Sequence, residues 1–233
     1  MRIRPVGAHA LLIDCADADQ VEAWRAELWR RRERGELTAV EIVPAATTVL
    51  LDGVPDPATA AARIAAWPPG PAAPRSAAPT VAAAPTVAAA PTAAAAPTVA
   101  GEAPEAAAEL VEVPVTYDGE DLALVAEHWG VDVPAVVDRL RRTPFRVAFC
   151  GFAPGFAYLT GLPAELAVPR LPTPRSRVPA GSVALAGPYA GIYPAASPGG
   201  WLLVGRTTMG LFDVHADPPA RLTPGTRVRL VAA

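Results

Sequence analysis

The feature that most constrains this chain is a stretch of low complexity near its middle. From residue 68 to residue 108 the sequence is almost all Ala, Pro and Thr, with an Ala-Pro-Thr unit recurring at Pro79, Pro85, Pro91 and Pro97. Frequent Pro removes backbone donors and fixes φ, while Ala buries too little surface to offset its ordering entropy. An extended, partly polyproline II linker is the expectation. It divides the chain into a small unit at 1–67, a linker at 68–108 and a larger unit at 109–233.

Before the linker, residues 10–15 read as a strand. Asp19 is placed to cap a helix over 20–34 that buries Val21, Trp24 and Leu28 at helical spacing, and Gly35 ends it. Residues 40–43 and 47–51 run apolar like paired strands, and 57–67 reads as a second helix with Pro57 in its first turn. The pattern predicts a two-layer α+β sandwich in which Trp24 and Trp29 serve packing rather than chemistry.

After the linker, residues 110–117 form a predicted strand. Asp121 precedes a helix ending at Trp129, and Pro134 opens another that runs to Arg142. From Arg146 onward short apolar segments alternate with closely spaced Gly and Pro, the pattern of a β-barrel or sandwich. No apolar run reaches the roughly 20 residues of a membrane-spanning helix, and the short run at 8–13 is followed by Asp14, Asp17 and Asp19, so neither anchor nor signal peptide is expected. Cys15 and Cys150 are far apart, which fits buried thiols in a reducing cytoplasm.

Charge is informative through its distribution. The formal net charge of −3 argues against nucleic-acid binding. Every basic residue is Arg and there is no Lys, so the chain supplies neither a phosphate-loop lysine nor a Schiff-base amine. Between Asp138 and Asp213 the one acid is Glu165, against Arg139, Arg141, Arg142, Arg146, Arg170, Arg175, Arg177 and Arg206. The helix-borne arginines read as solvated charge. Arg170, Arg175 and Arg177 lie in a Pro-stiffened loop with no acid beside them in sequence, which suits guanidinium forks held ready for a carboxylate or phosphate.

The segment 151–159, Gly-Phe-Ala-Pro-Gly-Phe-Ala-Tyr-Leu, combines rings with turn residues and is the candidate pocket wall: Gly151, Phe152, Pro154, Gly155 and Phe156, joined by Gly181 from a later turn. Arg170, Arg175, Arg177 and Arg206, with Tyr158 and Ser182 as neutral hydrogen-bonding groups, are the candidate ligand-binding side chains. No catalytic residue is evident: His9, His128 and His215 are scattered. No His or Cys pair has metal-like spacing, and Asp118, Glu120 and Asp121 read as a turn and a helix cap.

Seven motifs occur in one order: the 151–159 segment, the Pro-Arg pairs from Pro169, Val-Pro-Ala-Gly-Ser-Val from Val178, Gly-Ile-Tyr-Pro from Gly191, Ser-Pro-Gly-Gly-Trp from Ser197, Leu-Val-Gly-Arg-Thr from Leu203 and Leu-Phe-Asp from Leu211. Together they resemble the allophanate hydrolase subunit 1 family, which includes the B subunit of 5-oxoprolinase and an inhibitor of a sporulation histidine kinase. The resemblance is strong over 110–231. It departs from the family in the length of the linker and in Arg141 and Arg142, where a His is expected. It implies a cyclophilin-like C-terminal barrel and a cytoplasmic hetero-oligomer in which this chain, inactive alone, joins a second cyclophilin-like subunit of the C type and a third subunit of the A type. That team converts 5-oxo-L-proline to L-glutamate with ATP, and with Mg2+ as the nucleotide's companion. The alternatives that the same motifs imply are an inhibitor of a sensor histidine kinase and a subunit of a urea- or allophanate-processing amide hydrolase.

Overall fold

The computed structural model describes residues 2–68 and 110–233, so the Ala/Pro-rich stretch, apart from Pro68, lies outside the described residues. In the N-terminal unit β1 (Arg2–Pro5), β2 (Leu11–Asp14), β3 (Glu41–Pro44) and β4 (Thr48–Asp52) form an antiparallel sheet in the order β1-β2-β4-β3. The helix α1 (Ala18–Glu33) packs on β3 and β4, and α2 (Pro57–Ala65) packs on β1. The apolar stripe of α1 explains that placement: Val21, Trp24 and Leu28 are buried against Leu11, Ile13, Val49 and Leu51. Each such side chain contributes about 1.5–3 kcal/mol through removal from water.

The start of α1 differs from the sequence expectation. Asp17, not Asp19, is the cap, and its carboxylate accepts from the Gln20 N–H at 2.8 Å. Gln20 in turn accepts from the Ala16 N–H at 2.8 Å, which ties the residue before the cap to the first turn, whereas Glu22, at the same spacing from Asp19, is engaged by Arg25 and Arg146.

In the C-terminal unit β5 (Leu110–Val115), α3 (Leu122–Trp129) and α4 (Val133–Arg142) precede β6 (Phe145–Cys150) and β7 (Ala157–Thr160). Then follow β8 (Arg175–Val178), β9 (Ser182–Ala186), β10 (Tyr189–Ile192), β11 (Ser197–Gly199), β12 (Leu202–Arg206) and β13 (Arg227–Ala232). A seven-stranded sheet runs β12-β9-β10-β7-β6-β13-β5, with β13 and β5 parallel and the other neighbours antiparallel. Its two edges meet: Thr116 and Arg206 exchange backbone hydrogen bonds of 2.9 Å each way, so the sheet is a nearly closed barrel. Closure removes the unpaired edges that an open sheet would expose. The ribbon of β8 and β11 lies outside that sheet.

The barrel interior is filled by inward residues such as Val113, Phe145, Leu159, Leu185 and Val204. The helices α3 and α4 add Val125, Val136 and Leu140 to the same core. Both helices end or begin as their sequences dictate. Gly130 adopts the left-handed conformation after α3, and the Asp132 side chain caps α4 from 2.9 Å. The two units meet where Glu22 of α1 receives Arg25 at 2.7 Å and Arg146 of β6 at 3.1 Å. Among the described residues no helix is long and apolar enough to cross a membrane.

Candidate functional site

The rings of the 151–159 segment meet those of two later motifs in one cleft. The turn between β6 and β7 supplies Phe152 and Phe156, and β7 supplies Tyr158. Tyr193 follows β10, and Trp201 lies between β11 and β12. Phe156 sits at the centre, edge-on to Tyr158 at 5.0 Å, Tyr193 at 5.3 Å and Trp201 at 5.5 Å. Such edge-to-face contacts match positive ring edges to negative faces and fix the rings relative to one another. The far wall is Pro198-Gly199-Gly200, the end of β11 and the residue after it. Gly199 is required there, because a Cβ would lie 2.3 Å from the Tyr193 hydroxyl.

Arg170 completes the lining of a cleft of about 110 Å3. It is exposed, and among the described residues it forms no ion pair. Burial raises the phenol pKa of both Tyr158 and Tyr193, opposed in each case by the charge of Arg170. Both therefore stay neutral hydrogen-bonding groups near neutral pH. The cleft offers flat apolar walls, two phenols and one guanidinium. Among the described residues that line it there is no carboxylate, imidazole or thiol, and the groups present are suited to stacking, hydrogen bonding and charge pairing.

The other arginines fall elsewhere. Arg175 donates to both carboxylate oxygens of Asp121, at 2.8 and 2.9 Å, and its Nε lies 2.8 Å from Glu120. The expectation of a loop arginine without a nearby carboxylate is thus corrected: its partners are 54 and 55 residues away in sequence and reach it only through the fold. The cap reading of Asp121 is corrected by the same contacts. Its side chain makes no cap bond to α3 and instead accepts the Leu203 N–H at 2.7 Å. Arg206 pairs with Asp118 at 2.8 Å across the barrel closure. Arg177 is exposed on β8 and does not line the cleft.

Ser182 is buried in β9, opposite Arg206 in register, and stands outside the cleft. Gly181 serves a tight approach instead, since a Cβ there would come 2.1 Å from the Thr207 carbonyl. Gly151, Pro154 and Gly155 shape the turn without lining the cleft. From the sequence-predicted set, then, Phe152, Phe156, Tyr158 and Arg170 are brought together. Tyr193 and Trp201 are the lining residues that sequence reasoning passed over. Their signal was present in the Gly-Ile-Tyr-Pro and Ser-Pro-Gly-Gly-Trp motifs, where the turn residues drew the reading away from the rings.

A second cleft of similar size lies between the two units, beside Asp19, Glu22, Arg146 and Phe149. Glu22, Arg25 and Arg146 satisfy one another there, which marks it as a joint.

A family model described as the carboxyltransferase domain, subdomain C and D, matches residues 1–222. A curated relative from Escherichia coli O157:H7, the B subunit of 5-oxoprolinase, is 47% identical over 133 residues, 56% of this chain and 61% of that protein. The protein of the same name from Bacillus subtilis (strain 168) is 41% identical over 130 residues, 54% of either chain. The match therefore spans less than two thirds of these relatives. Among solved structures, TTHA0988 is 30% identical with a TM-score of 0.66, over all of this chain and 40% of that one. The Kluyveromyces lactis urea amidolyase, 17% identical with a TM-score of 0.64 over 99% of this chain and 15% of that one, shares the fold.

Proposed function

The chain belongs to the carboxyltransferase-domain family of subdomains C and D, and from that premise we propose that it is the B subunit of an ATP-hydrolysing 5-oxoprolinase. The observation that carries this reading is the 47% identity to the Escherichia coli protein of that name. In this reading the barrel is of the cyclophilin-like kind, the N-terminal unit is a two-layer sandwich, and the chain divides at 1–67, 68–108 and 109–233. It works in the cytoplasm with a related C-type subunit and an A-type subunit, and is inactive alone.

The cleft suits 5-oxo-L-proline on chemical grounds. That substrate is a small flat lactam bearing one carboxylate. The rings of Phe156, Tyr158 and Trp201 offer apolar faces and edges to the lactam, Arg170 offers a fork to the carboxylate, and the phenols offer hydrogen bonds to the amide. The lactam amide is resonance-stabilised, and phosphorylation of its oxygen by ATP makes its carbon open to water. The chain has no Lys to reach the β and γ phosphates of a nucleotide. In this reading ATP with Mg2+ is shared with the partner subunits, and this chain's part is to bind and orient the lactam.

The test is reconstitution with both partners. Glutamate and ADP formation that depends on 5-oxo-L-proline is expected from the complex and not from the isolated chain. An assembled complex that forms neither product overturns the reading.

A further inference from the structure

Phe152 is set apart from the other rings of the cleft by its backbone. Its φ is +72°, the one positive value at a residue other than Gly among those described. The Ala153 N–H donates to the Gly151 carbonyl at 2.9 Å, closing a hydrogen bond over a single residue. That is a γ-turn, and a positive φ at its centre gives the rare, strained form. A side chain in this region crowds the backbone carbonyl, so glycine is the unstrained choice and a bulky ring the outlier.

Core packing does not explain the ring. Phe152 is 61% exposed, while its neighbour Phe156 is 1% exposed. Its ring contacts are edge-on, to Phe156 at 5.2 Å and to Tyr193 at 6.2 Å, which hold it at the cleft beside residues that include Arg170. The turn is fixed from both sides by the Gly151 N–H bonded to the Phe156 carbonyl and the Phe156 N–H bonded to the Ala153 carbonyl. Strain held in place by its surroundings, at a ring that the core does not need, points to a ligand.

We propose that Phe152 is the specificity-determining residue of the cleft, its strained turn holding the ring where it covers a flat, carboxylate-bearing ring bound beside Arg170. This rests on the reading of the cleft as the lactam site.

The experiment compares Phe152→Ala, Phe152→Gly and Phe152→Tyr, each in the full chain and in the complex reconstituted with both partners. Ala and Gly both remove the ring, but only Ala keeps the strain. The Gly variant is expected to melt about 2–4 °C above the Ala variant. That reverses the usual order, in which Gly is less stable because of its freer unfolded chain. In the complex, both are expected to raise KM for 5-oxo-L-proline roughly three- to tenfold with kcat and the KM for ATP unchanged, and Tyr to restore the wild-type value. An unchanged KM in Ala and Gly, beside a wild-type complex that turns over, overturns the proposal and leaves the functional reading standing. So does loss of assembly on gel filtration, which makes Phe152 an interface residue, and so does an Ala variant that melts as high as Gly. A wild-type complex without turnover removes the functional reading and this inference with it.

Discussion

The barrel closure and the aromatic cleft both use arginines from the same half of the sequence, and they use them in opposite ways. At the closure, Arg175 is spent on Asp121 and Glu120, and Arg206 on Asp118. In the cleft, Arg170 stands beside rings without an ion pair among the described residues. Only four residues separate Arg170 from Arg175, yet one is exposed at the cleft and the other is paired with the carboxylates of Asp121 and Glu120. Arg175 also points its Nη1 at the Trp201 carbonyl, 3.4 Å away, and the Leu171 N–H donates to the Gly200 carbonyl at 2.8 Å. The closure thus anchors the turn from which Trp201 lines the cleft. An arginine-rich loop becomes a site only where the fold leaves a guanidinium unmatched.

The sharpest way to break this comparison is Arg175→Ala. It leaves the Asp121 carboxylate buried with the Leu203 N–H, and loss of one partner of a buried pair costs about 3–5 kcal/mol. Urea denaturation of the isolated chain should show that loss, with Arg175→Lys recovering part of it. Unchanged stability with a raised KM would instead return Arg175 to the ligand site.

Arg170→Ala should behave in the opposite manner. Loss of charge-assisted hydrogen bonds worth about 1.5–3 kcal/mol predicts a rise of roughly one to two orders of magnitude in the KM for 5-oxo-L-proline. The melting temperature should stay within about 1 °C of wild type, because the side chain is exposed and forms no ion pair among the described residues. Kinetics of the reconstituted complex, read beside a thermal melt, decides between the two roles.

The joint between the units extends the comparison to pH. Burial alone would raise the Glu22 pKa, but the hydrogen bond from Arg25 and the charges of Arg25 and Arg146 outweigh it, and the net direction is downward. A folded-state pKa below the unfolded one gives stability that is full above the ordinary carboxylate range and is lost as pH falls through the folded value. Glu22→Gln should therefore cost about 1 kcal/mol at neutral pH and almost nothing at strongly acid pH. Urea titrations of both proteins across that range test the sign; a gap that widens on acidification refutes it.

The smallest effect belongs to Arg206→Ala. Its pair with Asp118 is exposed on both sides, so a change of about 0.5 kcal/mol is expected. The closure itself rests on the two backbone bonds between Thr116 and Arg206, which the substitution leaves in place. A loss of several kcal/mol would show that the side-chain pair, and not the backbone, closes the barrel.

The parts of the fold that were legible in sequence are those whose hydrogen bonds are local. Asp132 caps α4 three residues ahead, Gly130 ends α3 by its own φ, and Val21, Trp24 and Leu28 form a stripe on one helix. Asp19 misled because Asp17-x-x-Gln20 and Asp19-x-x-Glu22 offer the same spacing, and only the hydrogen bonds of Asp17 and Gln20 decide between them. The cleft was half legible: the 151–159 segment announced its rings, while Tyr193 and Trp201 were hidden among turn residues.

The sequence by itself determined the helices, the breakpoints between β segments, the absence of any Lys and the ordered motifs that mark the family, because each follows from neighbours within a few residues or from composition. Tertiary structure decided that Arg175 and Arg206 are paired, while Arg170 forms no ion pair among the described residues. Asp121 meets Arg175 across 54 residues and Leu203 across 82, and no local rule carries that information. It decided the positive φ at Phe152 as well, since a bulky residue adopts that strained turn only where surrounding bonds and packed rings hold it.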